Sequence, residues 1–285
     1  MAVTDAETPA RYEIGSDVLL LLSIPGILSV VYFLTPTTLQ QQLALIPSDP
    51  QWYTIFTAAY VHASTSHLTG NLFGYFLAVS YTYWLCLHTN RRQWFRRTTI
   101  ALLLVTPIVV NIGNILAFGS VLPEVEGYSR GFSGVVGGFG GFLLVAFVVA
   151  VKDTYGSELA EIVAVSLVLL LLLLVSVVYS GGIQPLVAGL VAFGIGLQVI
   201  GTLYERDWEL PTVDATSRTF AFQVVAGGLV VTVLAVLVLL LFPAALVESG
   251  TFTNIAGHGV GMVTGSIVCT AFFDLRNLQD TQPSD

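Results

Sequence analysis

Charge is scarce in this chain: only 10% of its 285 residues are Asp, Glu, Lys or Arg, against 55% hydrophobic residues. That balance excludes a single water-soluble core, because a domain of this length cannot bury so much apolar surface, and a mean hydropathy of +0.83 makes the bilayer its solvent. The two cysteines, Cys86 and Cys269, form no CxxC pair and no framework, so neither a disulfide nor a metal site is indicated. One lysine, Lys152, stands beside nine arginines, and the net charge is -8. Such a balance argues against a nucleic-acid partner and resembles the acidic, lysine-poor surfaces of salt-adapted organisms. No His-Glu-x-x-His occurs, no acid lies in the middle of an apolar stretch, and no lysine follows the glycine-rich run from Gly137 to Gly141. A zinc-dependent or aspartyl intramembrane protease and a phosphate-binding loop are thereby set aside. A small-molecule transporter is also disfavoured, since it calls for intramembrane acids or broken helices.

Apolar stretches of spanning length run over 18–34, 66–87, 98–118, 131–151, 159–179, 182–203, 220–242 and 254–273. Hydrocarbon offers no water to backbone amides, so each stretch is expected to be helical, and none shows the ten-residue alternation of a membrane barrel. The expected fold is all-α, a polytopic membrane helix bundle of about eight transmembrane helices forming one domain over residues 1–285. Asp5, Glu7, Glu13 and Asp17 precede the first stretch against a single Arg11, and no small-residue cleavage pattern follows it, so it reads as a retained helix. The longest polar segments are the N-terminus, 35–53 and 204–219.

Lysine and arginine resist translocation, which makes them markers of orientation. Arg91, Arg92, Arg96 and Arg97 follow the second stretch, and eight crossings put Arg11, Lys152, Arg206, Arg218 and Arg276 on that same, cytoplasmic side. Arg130 alone falls outside, in a loop with Glu124 and Glu126. The chain is thus expected to be a multi-pass protein of the cell membrane with both termini cytoplasmic and the lipid bilayer as its surroundings.

Polar groups at membrane depth are expensive, so they mark candidate sites. Three clusters stand out. His62-Ala-Ser-Thr-Ser-His67-Leu-Thr-Gly-Asn71 leads into the second stretch, and the spacing of His67 and Asn71 puts two hydrogen-bond donors on one helix face. Gly131-Phe132-Ser133-Gly134 opens the fourth stretch, where the hydroxyl and the first-turn amides are accessible and free to serve an oxyanion. Gly257-His258-Gly259-Val260-Gly261, with Gly265 further on, opens the last. Three stretches separate Ser133 from His258, so both fall on the same, outer side; an even number would have separated them. Ser133, Gly137 and Gly141 form one ridge, and Gly261 and Gly265 continue that of His258. Small ridges let backbones approach closely enough for a hydrogen bond of about 3 Å between serine and histidine.

His-x4-His-x3-Asn, Gly-x-Ser-Gly and His-x2-Gly-x3-Gly, in this order on three helices, resemble the signature of the rhomboid intramembrane serine proteases. The segment from Trp52 to His62 also resembles the end of that family's first outer loop. The resemblance covers residues 47–151 and 250–273 and implies a rhomboid-like core, no cofactor, and transmembrane proteins as substrates. It implies Ser133 as nucleophile and His258 as general base, a dyad without a carboxylate and therefore slow. His67, Asn71 and the Ser133 amide would hold the oxyanion. His62 would brace the loop, with Gly131, Gly134 and Gly261 as structural glycines near the site. Three features depart from the family pattern: Tyr53 follows Trp52 where arginine is common, Gly137 replaces an aromatic residue four after the serine, and three helices separate serine from histidine where the basic core has one.

Taken singly, each cluster has a plainer reading. Gly-x-Ser-Gly serves for packing, His258 for an interhelical hydrogen bond, and His67 with Asn71 as polar glue. The alternative function for the whole is a catalytically inactive rhomboid-like scaffold that binds membrane proteins. The nine-to-one partition of basic residues yields a topology that reporter fusions test. A reporter after Gln93 or Thr212 should read cytoplasmic, and one near Val125 or Ser249 should read outside. A cytoplasmic signal near Ser249 would separate the serine from the histidine across the membrane and end the dyad reading.

Overall fold

A computed structural model describes residues 11–117, 128–208, 218–243, 247–248, 251–252 and 254–280. The helices among them are α1 (Arg11–Leu34), α2 (Thr37–Leu43), α3 (Thr54–Thr57), α4 (Thr65–His88), α5 (Arg92–Leu116), α6 (Ser133–Tyr155), α7 (Ser157–Ser180), α8 (Pro185–Glu205), α9 (Arg218–Leu241) and α10 (Ile255–Asp280). One antiparallel pair of two-residue strands, Val247–Glu248 with Thr251–Phe252, precedes α10. Seven of the eight long helices, all but α4, are long and apolar enough to cross a membrane, an architecture consistent with a polytopic helical bundle. The eighth, α4, has 24 residues but carries His67, Asn71, Ser80 and Thr82, which lower its hydropathy. Glu124, Glu126 and the loop 209–217 lie outside the described residues.

The segment 35–53, a polar loop by its sequence, contains α2 and runs on into α3 and a 3-10 turn at Ala58–Tyr60. The Gln40 side chain is buried and donates to the carbonyls of Tyr32 and Thr35 at 3.0 and 2.9 Å, folding α2 back onto the end of α1. These bonds satisfy carbonyls that a helix C-terminus leaves open.

The chain forms two compact units, residues 1–142 with 256–285, and residues 143–255. In the second, α7 packs against α8 and α9, Arg206 pairs with Glu158, and Tyr155 donates to Gln223. Little of α7 and α8 is buried, 11% of each apolar window against 67% for α6. Their outward surface, including Leu186, Leu190 and Phe193, is what acyl chains would cover.

The first unit holds every candidate site residue. Its core is aromatic: Tyr75 of α4 meets Phe139 and Phe132 edge-on at 5.4 and 5.9 Å, and Trp94 and Phe95 of α5 meet Phe142 at 4.9 and 6.0 Å. All six rings are buried, so the first turns of α6 are wedged against α4 and α5. At the other end of α1, the wholly buried Asp17 accepts from Tyr83 and Arg92 and pairs with Arg96, which ties α1 to α4 and α5. Cys86 and Cys269 are buried thiols, and Trp94 donates to the Cys269 carbonyl at 2.8 Å, fastening α10 to α5.

Glycines set the approach of α6 to α10. A Cβ on Gly261 would collide with the carbonyl oxygen of Gly134, one on Gly265 with that of Gly138, and one on Gly141 with that of Met262. These obstacles are helix backbone and cannot swing aside. Of the expected ridge on α6, Gly137 and Gly141 lie against the His258 and Met262 carbonyls, while the residues facing Gly261 and Gly265 are the neighbouring Gly134 and Gly138.

Gly265→Ala should therefore lower the melting temperature in detergent, by an amount corresponding to about 1–3 kcal/mol of overpacking. Gly189→Ala, on α8 where nothing lies within 4 Å of a new Cβ, should leave it unchanged or raise it, since alanine is the better helix former. Equal behaviour of the two variants would show that backbone contact does not hold α6 to α10.

Candidate active site

The site is assembled from the N-terminal turns of three helices and the loop before one of them. Ser64, extended at φ -155 and ψ 164, caps α4, and its side chain accepts from the His67 amide at 3.2 Å. This cap fixes where the helix starts and so which face His67 and Asn71 share. Asn71 is 6% exposed, and its Nδ2 has no hydrogen-bond partner among the described residues. A buried amide without an acceptor is destabilising by about 1–3 kcal/mol, which makes it a group to explain.

Gly131 lies against that face. Its φ of +126 belongs to the region that side-chain-bearing residues avoid. A Cβ there would also stand 2.5 Å from His67 Cε1, 2.6 Å from its Nε2 and 3.5 Å from Asn71 Nδ2. Conformation and space both call for glycine, and its closeness puts the Asn71 amide and the His67 ring two residues from Ser133. The Gly131 amide donates to the Ala58 carbonyl at 3.0 Å, anchoring the loop to the 3-10 turn.

Ser133 heads α6, so its amide is in the first turn, where amides have no intrahelical acceptor. His258 lies in the first turn of α10, 7% exposed, with Nε2 2.7 Å from Ser133 Oγ. With Nε2 as the acceptor, the hydroxyl donates and the ring carries its proton on Nδ1. Gly137, four residues after the serine, stands where a Cβ would be 2.7 Å from the His258 carbonyl oxygen. An aromatic side chain there would meet the α10 backbone in this packing, which accounts for the glycine.

His62 is 2% exposed and meets His67 edge-on, ring centroids 5.2 Å apart. Its ring nitrogens have no hydrogen-bond partner of good geometry among the described residues. Burial first, then the nearby His67 and Arg130, push its pKa down to about 3, with only the Tyr60 backbone acting the other way. His62 is thus a neutral, packed ring beneath the His67 face.

Sequence reading singled out Ser133, His258, His67, Asn71, His62, Gly131, Gly134 and Gly261, and all eight fall in this one unit. It missed a polar set behind the loop: Asn111 and Asn114 of α5, 4% and 3% exposed, and Ser129. Two asparagines three apart in a helix otherwise rich in Ile, Val and Leu were a usable signal, since buried amides at membrane depth need a reason. Among the described residues no group of three His, Cys, Asp or Glu could hold a metal ion. Comparison with family models, curated proteins and solved structures returned no match to this chain.

The lowered pKa of His62 has a thermodynamic consequence. An unfolded histidine binds its proton near 6.5, so between about pH 6.5 and 3 the unfolded chain holds more protons at this position and stability falls as pH drops through that window. Melting temperatures in detergent at about pH 7 and about pH 5 should fall on acidification, and fall less in His62→Asn. Identical falls in both proteins would remove His62 as a source.

Proposed function

We propose that the chain is a rhomboid-type intramembrane serine endopeptidase, in which Ser133 is the nucleophile and His258 the general base. The observation that carries this reading is the 2.7 Å contact between Ser133 Oγ and His258 Nε2, across 125 residues of chain. Nucleophile and base within hydrogen-bond reach is the arrangement that acyl transfer needs. Ser133 Oγ attacks the scissile carbonyl carbon while its proton passes to His258 Nε2. The imidazolium then protonates the leaving amine, and the acyl-enzyme is hydrolysed by a water that His258 deprotonates in turn.

Negative charge on the carbonyl oxygen would be met by Asn71 Nδ2, the His67 ring and the Ser133 amide. The orphaned state of Asn71 Nδ2 supports that role, because a donor reserved for an oxygen that appears only during reaction has no other partner to satisfy it. The substrates on this reading are membrane proteins whose transmembrane segment unwinds near the outer face, an orientation supported by the bias of the basic residues.

Three variants and one probe test it. A fluorophosphonate should label the detergent-solubilised protein at Ser133, and Ser133→Ala and His258→Ala should each abolish labelling and cleavage of a model transmembrane substrate while retaining the wild-type melting temperature. Asn71→Ala should lower kcat about 100- to 1000-fold with KM little changed, the effect of losing one oxyanion donor. A wild-type protein that resists the probe would leave the binding-scaffold reading in its place. An Asn71→Ala protein that melts early yet turns over at the wild-type kcat would return Asn71 to helix packing.

A further inference from the structure

Behind the loop that carries Gly131 runs a chain of side-chain hydrogen bonds that the proposed chemistry does not use. Asn111 Nδ2 donates to the Ile55 carbonyl at 3.0 Å. Asn114 Nδ2 donates to Asn111 Oδ1 at 3.1 Å and to Ser129 Oγ at 3.0 Å. Ser129 is also clamped by its backbone, which exchanges two hydrogen bonds with Leu45, at 3.0 and 2.8 Å. Two residues on, Gly131 is fastened to the Ala58 carbonyl and pressed against His67 and Asn71. The α5 amides thus grip both sides of the same short path: residues 55–58 on one, residues 129–131 on the other.

From this we infer that Asn114, acting through Ser129 and seconded by Asn111, is a positioning residue for the oxyanion site. It sets the loop 129–131, and with it the Ser133 amide, at the distance from Asn71 and His67 at which one oxygen can be held by all three. The inference rests on the catalytic reading above and deepens it. The physical argument is one of register. An extended path such as 129–131 can shift along its length while keeping single backbone bonds, and a shift of about 1 Å at a reacting group is enough to lose about 100-fold in rate. The Leu45 pairing and the Ala58 bond hold the path sideways. The Asn114 amide reaches Ser129 from α5 itself, and α5 is locked to α6 by the Trp94, Phe95 and Phe142 rings. The same buried amide therefore refers the loop to the helix that Ser133 heads. Buried amides hydrogen-bonded in this way hold one arrangement against its neighbours.

The test turns on Ser129→Ala, which removes the hydroxyl and leaves the Leu45 pairing, the Asn111–Asn114 bond and the helix packing in place. In detergent, the second-order rate of fluorophosphonate labelling at Ser133, kcat and KM for a transmembrane substrate, and the melting temperature are measured for wild type, Ser129→Ala, Asn114→Ala and the double variant. Ser129→Ala should lower kcat and the labelling rate together by about 10- to 100-fold, with KM and melting temperature close to wild type. Ser129→Thr, which keeps a hydroxyl, should restore most of both. Asn114→Ala should act in the same direction, and the double variant should be no slower than the slower single, since both act through one contact. Should Asn114→Ala fail to fold, Ser129→Ala and Ser129→Thr still decide the matter. Wild-type kcat and labelling rate in Ser129→Ala overturn the inference while Ser133 labelling of the wild type stands. No Ser133-dependent labelling in the wild type overturns the catalytic reading and this inference with it.

Discussion

A serine on one helix reaches a histidine on another only if the two backbones nearly touch, and contact between α6 and α10 is the constraint from which the rest of the first unit follows. Gly134 faces Gly261, Gly138 faces Gly265, and Gly137 lies against the His258 carbonyl. With ordinary side chains at these positions the helices would stand several ångströms further apart, as side-chain ridges require. The 2.7 Å contact between Ser133 and His258 would then open. Close contact has a drawback in a bilayer, where no hydrophobic drive presses helices together. Here the pressing is done from behind, by the rings of Tyr75, Trp94 and Phe95 against Phe132, just before α6, and Phe139 and Phe142 on it, and by the Trp94 hydrogen bond to the α10 backbone.

Much of this architecture was legible in the chain because membrane helices announce themselves. All eight long helices lie on the apolar stretches, with boundaries that mostly differ by a few residues where polar flanks such as Arg92 to Arg97 continue the helix outside the hydrocarbon. The candidate site was legible for a related reason: polar residues are rare at that depth, so Ser133, His258, His67 and Asn71 had little competition. What a periodicity cannot tell is which of two adjacent ridges faces the neighbour. Ser133, Gly137 and Gly141 read as one small ridge, yet Gly134 and Gly138 are the residues set opposite Gly261 and Gly265. In a helix with glycine at 134, 137, 138, 140 and 141, the choice is made by which carbonyls the partner can meet, and that belongs to tertiary structure.

The short elements escaped for a different reason. Helices of four and seven residues, α3 and α2, are below the length at which propensity sustains a helix. They persist because Gln40 ties α2 to the end of α1 and because the Thr57 hydroxyl reaches the Leu43 carbonyl at 2.9 Å, contacts that no local pattern encodes. Asn111 and Asn114 escaped although their polarity was visible, because their partners are the Ile55 carbonyl and Ser129, distant in sequence and unremarkable in composition. Single-residue departures were better guides: Gly137 breaks the family-like pattern, and the His258 carbonyl lying against it supplies the reason.

Five buried residues, His62, Asn71, Thr98, Thr99 and Thr106, stand against the general rule that interior polar atoms find partners among the described residues. Asn71 Nδ2 and both nitrogens of His62 lack them among the described residues, and each orphan is destabilising by about 1–3 kcal/mol. Such penalties persist only where surrounding structure over-determines the conformation. The surroundings here do so: Leu45 with Ser129, Ala58 with Gly131, Ile55 with Asn111, and Tyr60, whose hydroxyl donates to the Leu103 carbonyl at 2.7 Å. Each of these bonds joins segments far apart in sequence, and all of them converge on residues 55–60 and 129–131, the two paths that flank His67 and Asn71. One of these two paths, through Gly131, runs directly beside the unpartnered Asn71 amide. On the catalytic reading proposed above, an Asn71 amide held fixed and without an acceptor is what a site for a developing negative charge would require, whereas the unpartnered His62 ring and threonines serve no such role.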